Sequence, residues 1–130
     1  MVPSDTDRKA ALEVLRNAQF VYGLSRYPKK QVLDDPADVR ALRSEDVVAV
    51  DLNDAPADVP KDQQRDNARE LPLATGVIDA AGFLKSLAAI GYDGPVRAEP
   101  FNEAVRKMPP EEAVAATALA MKKAFALLEG

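Results

Sequence analysis

Two stretches of the sequence decide the fold: residues 47–56 read VVAVDLNDAP, and residues 75–101 read TGVIDAAGFLKSLAAIGYDGPVRAEPF. Each contains a short apolar segment, at 47–52 and 96–99, that leads into acidic or amide side chains. A helical pattern lies between the two segments. Strand, helix and strand in this order are typical of a parallel βα repeat, whose functional residues lie where the strands end. The sequence therefore predicts an α/β fold in which the two segments are neighbouring parallel strands.

The connecting helix is predicted from its ends as well as from its apolar face. Asp79 is a suitable N-cap, because its side chain can accept a hydrogen bond from a backbone N–H of the first turn. Gly91 suits the left-handed conformation that commonly follows the last helical turn. Between them, apolar residues recur at helical spacing: Phe83, Leu84, Leu87 and Ile90. These signals predict a helix over residues 80–90.

Further elements are predicted on either side of this unit: a helix at 7–18, a short strand at 20–24, a short helix from 35 to about 43, and a final helix that starts at Pro109-Pro110. Asp35 and Pro36 supply the N-cap and first residue of the short helix. The final helix is expected to bury one apolar stripe: Val114, Ala118, Met121, Phe125 and Leu128. Residues 55–75 contain three prolines and many charges, which predicts a long irregular loop with a functional role.

The composition narrows the range of functions. The chain has 130 residues, no cysteine, no histidine and a formal net charge of -4. Thiol catalysis and imidazole ligands are therefore excluded, and the absence of a basic stripe argues against nucleic acid. No apolar run approaches the roughly 20 residues of a membrane helix, and the opening MVPSDTDRK lacks an apolar signal region. We expect a cytosolic protein of one modest domain, with no nucleic-acid or membrane partner.

Oxygen-bearing side chains follow both predicted strands. Asp51, Asn53 and Asp54 lie at the end of the first strand, and Glu99 lies at the end of the second. Because the ends of neighbouring parallel strands meet at one edge of a sheet, these side chains can converge on one point. Carboxylate oxygens bind Mg²⁺ and Mn²⁺, so a divalent metal or polyol site is the first hypothesis. Side chains alternate along a strand, so Asp51 and Asn53 are expected on one face.

Each of these residues also has a purely structural interpretation. Glu99 can be a solvated acid at the strand end or form a salt bridge with Arg97. Asp51 can accept hydrogen bonds from the amides of the following loop, and Asn53 and Asp54 can cap that loop. The pattern of residues leaves these alternatives open.

The same segments resemble the sugar phosphate isomerase/epimerase superfamily, the xylose isomerase-like TIM barrels. The resemblance rests on VVAVDLNDAP, on DNARELP at residues 66–72, on GVIDAAGFLKSLAAIGYDGPVRAEPF and on the terminal AMKKAFALL. It covers residues 38 to 128, approximately. It implies a partial (β/α) TIM barrel of about two to three parallel βα units, with an N-terminal helix.

The resemblance also implies a site. Family members hold a divalent metal, Mn²⁺ or Mg²⁺, at the barrel mouth with two Glu, one Asp and one His. Glu99 matches the metal Glu of the last strand, and Asp51 takes the place of the metal His in the pattern V-H-x-x-D. Arg69 resembles a loop Arg that contacts substrate, and Asn53 is a second candidate for substrate contact. The implied partner is a sugar or sugar phosphate.

The sequence departs from the family pattern. The metal His is absent, and the usual Pro-Gly-x-Gly of the loop is replaced by PLATG at residues 72–76. A full barrel takes about 250 residues and eight βα units, whereas this chain can supply at most about three. We therefore divide the chain into a divergent segment at 1–37 and βα units at 38–130. We expect a fragment, a degenerate paralogue or a product with a foreign N-terminal segment.

Two functions are consistent with these residues. The first is a metal-dependent isomerase or epimerase that transfers a proton or hydride on a sugar or polyol, or the remnant of one. The second is a non-catalytic partial barrel that binds a partner or associates with itself through open sheet edges. Catalytic residues are not assigned, because Lys and carboxylates are the usable bases and the plausible metal ligands are limited to Asp51 and Glu99.

Overall fold

The computed structural model describes residues 35–65, 67–99 and 101–130. These residues form, in chain order, 3-10 helices at Pro36–Ala41 and Ser44–Asp46, strand β1 at Val50–Leu52, a 3-10 helix at Lys61–Gln63, helix α1 at Ala80–Ala89, strand β2 at Val96–Ala98, helix α2 at Glu103–Arg106 and helix α3 at Pro110–Ala126. The helix predicted at 7–18 and the strand predicted at 20–24 lie outside the described residues.

The two strands form a parallel pair, as the sequence predicts. The register is Val50 with Val96, Asp51 with Arg97 and Leu52 with Ala98. Parallel strands need a crossover connection, and α1 lies in the segment that supplies it. The carboxyl ends of β1 and β2 consequently lie at the same edge of the sheet.

β1 is shorter than the strand predicted at residues 47–52. The N–H of Val47 donates to the carbonyl of Ser44 at 3.1 Å, and this bond closes a 3-10 turn before the strand begins. Val48 is 88% exposed, so the start of the apolar run does not enter the core. Pairing with β2 begins at Val50. The predicted strand at 47–52 was too long at its start, because Val47 belongs to a turn.

Side-chain caps start two helical segments, as predicted. The Gly82 N–H donates to Asp79 Oδ1 at 2.8 Å at the start of α1. The Ala37 N–H donates to Asp35 Oδ1 at 2.8 Å, and Pro36 is the first residue of the following segment. That segment is a 3-10 helix that ends before residue 43. The local signals thus located both starts but not the helix type.

The C-terminal end of α1 is a Schellman arrangement. Gly91 follows the helix with a φ of 73°, and its N–H donates to the Ala88 carbonyl at 3.0 Å. The Tyr92 N–H donates to the Leu87 carbonyl at 3.1 Å. These bonds pair carbonyls of the last turn that have no partner within the helix. The predicted left-handed glycine is therefore confirmed.

Replacement of Gly91 by Val is expected to lower the free energy of unfolding by about 1 kcal/mol or more. No atom lies within 4 Å of the position that a Cβ would take, so the cost arises from the positive φ and not from a steric clash with neighbours. Gly91→Asn is the control, because Asn tolerates this conformation better than a β-branched residue. Urea denaturation of the two variants measures the difference, and equal midpoints for Gly91→Val and the wild type would contradict the assignment.

The core lies on one face of the sheet. It consists of apolar side chains from the first 3-10 helix and its end, from both α1 and α3, and from β1: Val39, Leu42, Val50, Leu52, Ala80, Phe83, Leu84, Leu87 and Ala124. Burial of a Leu, Val or Phe side chain stabilises a fold by about 1.5–3 kcal/mol. Because this core covers one face of β1 with apolar side chains, the opposite face is free to carry a polar side chain.

The segment at 55–75 is more ordered than the irregular loop that the sequence predicts. It contains the 3-10 helix at Lys61–Gln63, and an antiparallel bridge joins Asp54 to Glu70. The two bridging bonds between backbone N–H and carbonyl groups measure 2.9 and 3.0 Å. The segment therefore returns to the end of β1, where it can take part in a site.

A groove of about 670 Å³ lies within this segment. Its lining residues are Pro56, Val59, Asp62, Gln63, Gln64, Arg65 and Ala68. Gln64 is 2% exposed, and its Nε2 donates to the carbonyls of Pro56 and Val59 at 2.8 and 2.7 Å. Its Oε1 is buried and has no hydrogen-bond partner within the part of the chain that is described. Gln64 thus fixes the shape of the groove.

α3 begins at Pro110, close to the predicted start, but it buries a different face. Most residues of the predicted stripe are exposed: Val114 (69%), Ala118, Phe125 (39%) and Leu128 (42%). Ala124 is instead fully buried, and Met121 packs partly against the core, as predicted. A methyl side chain allows α3 to approach α1 and β2 closely. The prediction was wrong for the exposed residues because it weighted large apolar side chains over alanine.

Candidate functional site

Polar side chains occupy the sheet face opposite the core. Asp51 is exposed between two buried neighbours on β1, and the register places it beside Arg97 on β2. Because side chains alternate along a strand, Asn53 and Glu99 project to this same face one step further toward the carboxyl edge. These four residues form what we call the edge patch. Active sites of parallel α/β barrels lie at this end of the strands.

Asp51 and Arg97 form an ion pair within the edge patch. Arg97 donates through Nε to Oδ1 and through Nη2 to Oδ2 of Asp51, the second bond measuring 3.4 Å. This hydrogen bond and the charge of Asp51 raise the pKa of Arg97, and the charge of Glu99 adds to the effect. The side chain of Arg97 is 66% exposed and that of Asp51 is 36% exposed, so solvent screens their attraction. The pair orients its members in the site more than it stabilises the fold.

Asn53 connects the two strand ends. Its Oδ1 accepts a hydrogen bond from the Glu99 N–H at 3.1 Å. This bond continues the contact between the strands beyond the last ladder pair and holds the backbone of Glu99 beside β1. Asn53 therefore caps the neighbouring strand rather than its own loop, and Glu99 is held at an exposed position.

Asp54 is a buried structural carboxylate. It is 1% exposed, and it accepts hydrogen bonds from the N–H groups of Ala55, Thr75, Gly76 and Ile78, at 2.7 to 3.2 Å. Burial alone would raise the pKa of Asp54, but the four donors favour the ionised form and together lower the pKa below its ordinary value. Asp54 thus ties the end of β1 to the far end of the loop, which agrees with the loop-capping interpretation.

Arg69 lies at a junction between the loop and the segment after β2. Its N–H donates to the Phe101 carbonyl at 2.9 Å, and its own carbonyl accepts from Asn102 Nδ2 at 2.9 Å. The same Nδ2 donates to Glu70 Oε2 at 2.9 Å, while Asn102 Oδ1 accepts from the Val105 N–H at the start of α2. Arg69 is 5% exposed.

The structure places the residues predicted for the site as follows. Asp51 binds Arg97 and Asn53 binds the Glu99 N–H at the ends of the two strands, whereas Arg69 is buried. Arg97 was considered as a partner of Glu99, but it pairs with Asp51, because strand register places them side by side. The role of Asn102 was missed. Asn before Glu103 is a helix-start signal that could have located it.

The family model of the xylose isomerase-like TIM barrel matches residues 17–124. The chain belongs to this family. The parallel strands, the crossover helix and the polar side chains at the strand ends are what a part of such a barrel presents. The predicted family and the predicted partial α/β barrel are therefore confirmed. No curated protein matches the chain.

A solved structure of similar fold is described as "IOLI protein with a binding zinc atom". The TM-score is 0.66 at 19% sequence identity, and the match covers 95% of this chain and 43% of that chain. The chain thus spans less than half the length of this structural relative. At this identity the likeness concerns the fold.

None of the helices at 35–65, 67–99 and 101–130 combines the length and apolar character needed to cross a bilayer.

A divalent ion needs more ligands than the edge patch offers. Mg²⁺ prefers about six oxygens and Zn²⁺ about four ligands. Within the described part of the chain, no group of three acidic side chains is placed to hold a metal ion. Of the two predicted ligands, Asp51 already accepts hydrogen bonds from Arg97 on both carboxylate oxygens. The described residues therefore do not fit a metal centre by themselves.

Proposed function

We propose that the edge patch is one part of a sugar- or polyol-binding site in a barrel of the isomerase/epimerase class. The observation that carries the proposal is the placement of Asp51, Asn53, Arg97 and Glu99 on one face at the carboxyl ends of parallel strands. This face is where barrels of this architecture carry out chemistry. Membership of the xylose isomerase-like family supports the substrate class.

The chemistry of the patch suits a polyhydroxylated ligand. Carboxylates and the Asn53 side chain accept hydrogen bonds from sugar hydroxyls, and guanidinium groups donate to carbonyl, hydroxyl or phosphate oxygens. A carboxylate beside a sugar carbonyl can also accept the proton of the adjacent carbon, which is the first step of an isomerisation or epimerisation that proceeds by proton transfer. We assign that role to Glu99 and substrate contact to Asn53. The buried Arg69 is proposed to favour an anionic group, such as a sugar phosphate.

The predicted metal site is carried over only in part. Asp51 and Glu99 would supply two oxygens to Mg²⁺ or Mn²⁺, fewer than such an ion needs, and Arg97 already binds Asp51, so the proposal assigns the chemistry to the side chains themselves. The division into a divergent segment at 1–37 and βα units at 38–130 and a cytosolic location belong to the same proposal. The match to 43% of the length of the IolI chain is consistent with a partial barrel.

Solvent deuterium exchange distinguishes catalysis from binding. The protein is incubated in D₂O with a panel of ketoses and ketose phosphates, and deuterium at the carbon next to the carbonyl is followed by NMR. The isomerase proposal predicts exchange that falls about tenfold or more in Glu99→Gln. Glu103→Gln, an exposed acid on α2, is the matched control and should retain the wild-type rate. Exchange equal in both variants would contradict the role of Glu99.

The second candidate is a non-catalytic module that associates with itself. The observation that favours it is a set of exposed apolar side chains on α3 and just after its end: Val114, Phe125 and Leu128. Exposed apolar patches can mark contact surfaces. A second copy of the chain is the occupant that we propose for this face.

Light scattering coupled to size exclusion tests self-association. We expect dimers or larger species for the wild type, and we expect Val114→Glu to shift the distribution toward the monomer. Ala115→Glu adds the same charge at an exposed position next to it and is the control. A monodisperse wild-type monomer would contradict this second candidate.

A further inference from the structure

We infer that the guanidinium of Arg97 takes the place of a divalent cation between Asp51 and Glu99, and that it excludes such an ion from the edge patch. The inference rests on the proposed function, because it concerns the same sheet edge. It adds to that proposal the identity of the cation that a ligand would meet there, which is the guanidinium of Arg97 and not a metal ion.

The geometry of the ion pair carries the first step. Asp51 and Arg97 are register partners on adjacent strands, so their contact is set by the backbone of the sheet. Two nitrogens of Arg97, Nε and Nη2, bind the two oxygens of Asp51. When a guanidinium binds a carboxylate in this bidentate way, lone pairs of both carboxylate oxygens point toward the guanidinium. A metal ion would have to displace Arg97 to use Asp51 as a ligand.

The position of Glu99 carries the second step. Glu99 lies two residues after Arg97 on the same face, and its charge acts on the guanidinium. The bond from its N–H to Asn53 holds it at the end of the sheet. Arg97 therefore pairs with one of the two carboxylates that the resemblance assigns as metal ligands and precedes the other by two residues on the same face. One positive charge among these two negative charges compensates part of the field that would attract a dication.

The position of Arg97 determines which chemical group the edge patch presents to a ligand. The side chain of Arg97 is 66% exposed, so a ligand can reach its guanidinium from solvent. An arginine stays charged at all physiological pH values and donates hydrogen bonds in a fixed plane. The edge patch thus offers a cationic donor to a sugar carbonyl or phosphate oxygen, where a metal-dependent site would offer a Lewis acid.

Titration with Mn²⁺, followed by the electron paramagnetic resonance signal of the free ion, tests the inference. We expect weak binding to the wild type and binding about tenfold or more tighter to Arg97→Met, which removes the competing charge. The double variant Arg97→Met/Asp51→Asn should return to weak binding. Arg106→Met removes an exposed arginine from α2 and should leave the wild-type affinity unchanged. Equal affinity of Arg97→Met and the wild type would overturn the inference.

A second measurement needs no variant. The Nε–H NMR signal of Arg97 reports the pair with Asp51 directly, and it should stay unchanged as Mg²⁺ is added to the wild type. Its displacement at Mg²⁺ concentrations that leave other arginine signals unaltered would overturn the inference, even if Arg97→Met failed to fold.

Sugar binding separates this inference from the proposed function. If Arg97→Met gains affinity for Mn²⁺ but the wild type binds no sugar or polyol, the inference stands and the proposed function fails. If the wild type binds sugar at the edge patch but removal of Arg97 leaves the affinity for Mn²⁺ unchanged, the proposed function stands and the inference fails.

Discussion

Replacement of Asp54 by Asn is expected to lower the free energy of unfolding by about 2–4 kcal/mol. The carboxylate is 1% exposed and accepts four backbone N–H groups, two on each oxygen. An amide keeps one acceptor oxygen and places an NH₂ group against the other donors. Two or more backbone donors in a partly buried region would then lack an acceptor, which costs more than a surface substitution.

Chemical denaturation measures this effect against a matched control. Asp58→Asn makes the same chemical change at an exposed residue of the same loop and should alter stability by less than about 0.5 kcal/mol. If both variants unfold at the wild-type denaturant concentration, Asp54 does not hold the loop as described.

The same residue predicts a dependence of stability on pH. The pKa of Asp54 is lower in the folded chain than in the unfolded chain, where it is about 3.9. Its contribution to stability is therefore fully present above that ordinary value and is lost as the pH falls below it toward the folded pKa. We expect the wild type to lose stability below about pH 4, and Asp54→Asn to lose less over the same interval.

Replacement of Leu84 by Ala is expected to destabilise the fold by about 2–5 kcal/mol. Leu84 is 2% exposed on α1 and belongs to the core that joins α1 to β1. Removal of three carbon atoms from this position loses apolar burial and leaves a cavity, because neighbouring side chains relax only partly. The cost is large for a core of this size.

Leu119→Ala is the control for this prediction. Leu119 lies on α3 and is 54% exposed, so the same truncation removes little buried surface. We expect a change of less than about 1 kcal/mol from thermal and urea denaturation. Similar losses of unfolding free energy in the two variants would contradict the burial of Leu84 in the core.

Signals that act within a few residues gave correct predictions of the fold. The caps at Asp35 and Asp79 and the left-handed Gly91 depend on contacts with the next turn, which the local sequence specifies. The parallel arrangement of the strands followed from the order strand, helix, strand, since a helix between two strands favours a crossover. These features needed no knowledge of distant residues.

Features that depend on distant contacts could not be predicted in this way. The start of β1 is set by the 3-10 turn that uses the Val47 N–H, and apolar composition alone did not reveal it. The face that α3 buries is selected by the close fit of Ala124, which a count of large apolar residues overlooks. Leu73 adopts a φ of 66° next to Pro72, where the family pattern has Gly, and a leucine gives no local signal for this conformation.

The candidate site was partly predictable, because some of its features follow from the local sequence and others depend on contacts between distant residues. Alternation along a strand placed Asp51 and Asn53 on one face without any structure. The pairing of Asp51 with Arg97 depends on strand register, which composition does not fix. The four donors to Asp54 come from its neighbour Ala55 and from residues 75–78, so its structural role emerged only when the loop was seen to return.

Mapping of a sugar ligand by amide NMR tests the central claim most directly. The ¹⁵N-labelled chain is titrated with ketoses, ketose phosphates and linear polyols, and the shifted amides are assigned. The proposal predicts that the largest shifts lie at Asn53, Glu99 and Phe101, around the edge patch, and that they shrink in Asn53→Ala. Shifts confined to the groove around Gln64, or no shifts with any member of the panel, would contradict a sugar site at the carboxyl ends of β1 and β2.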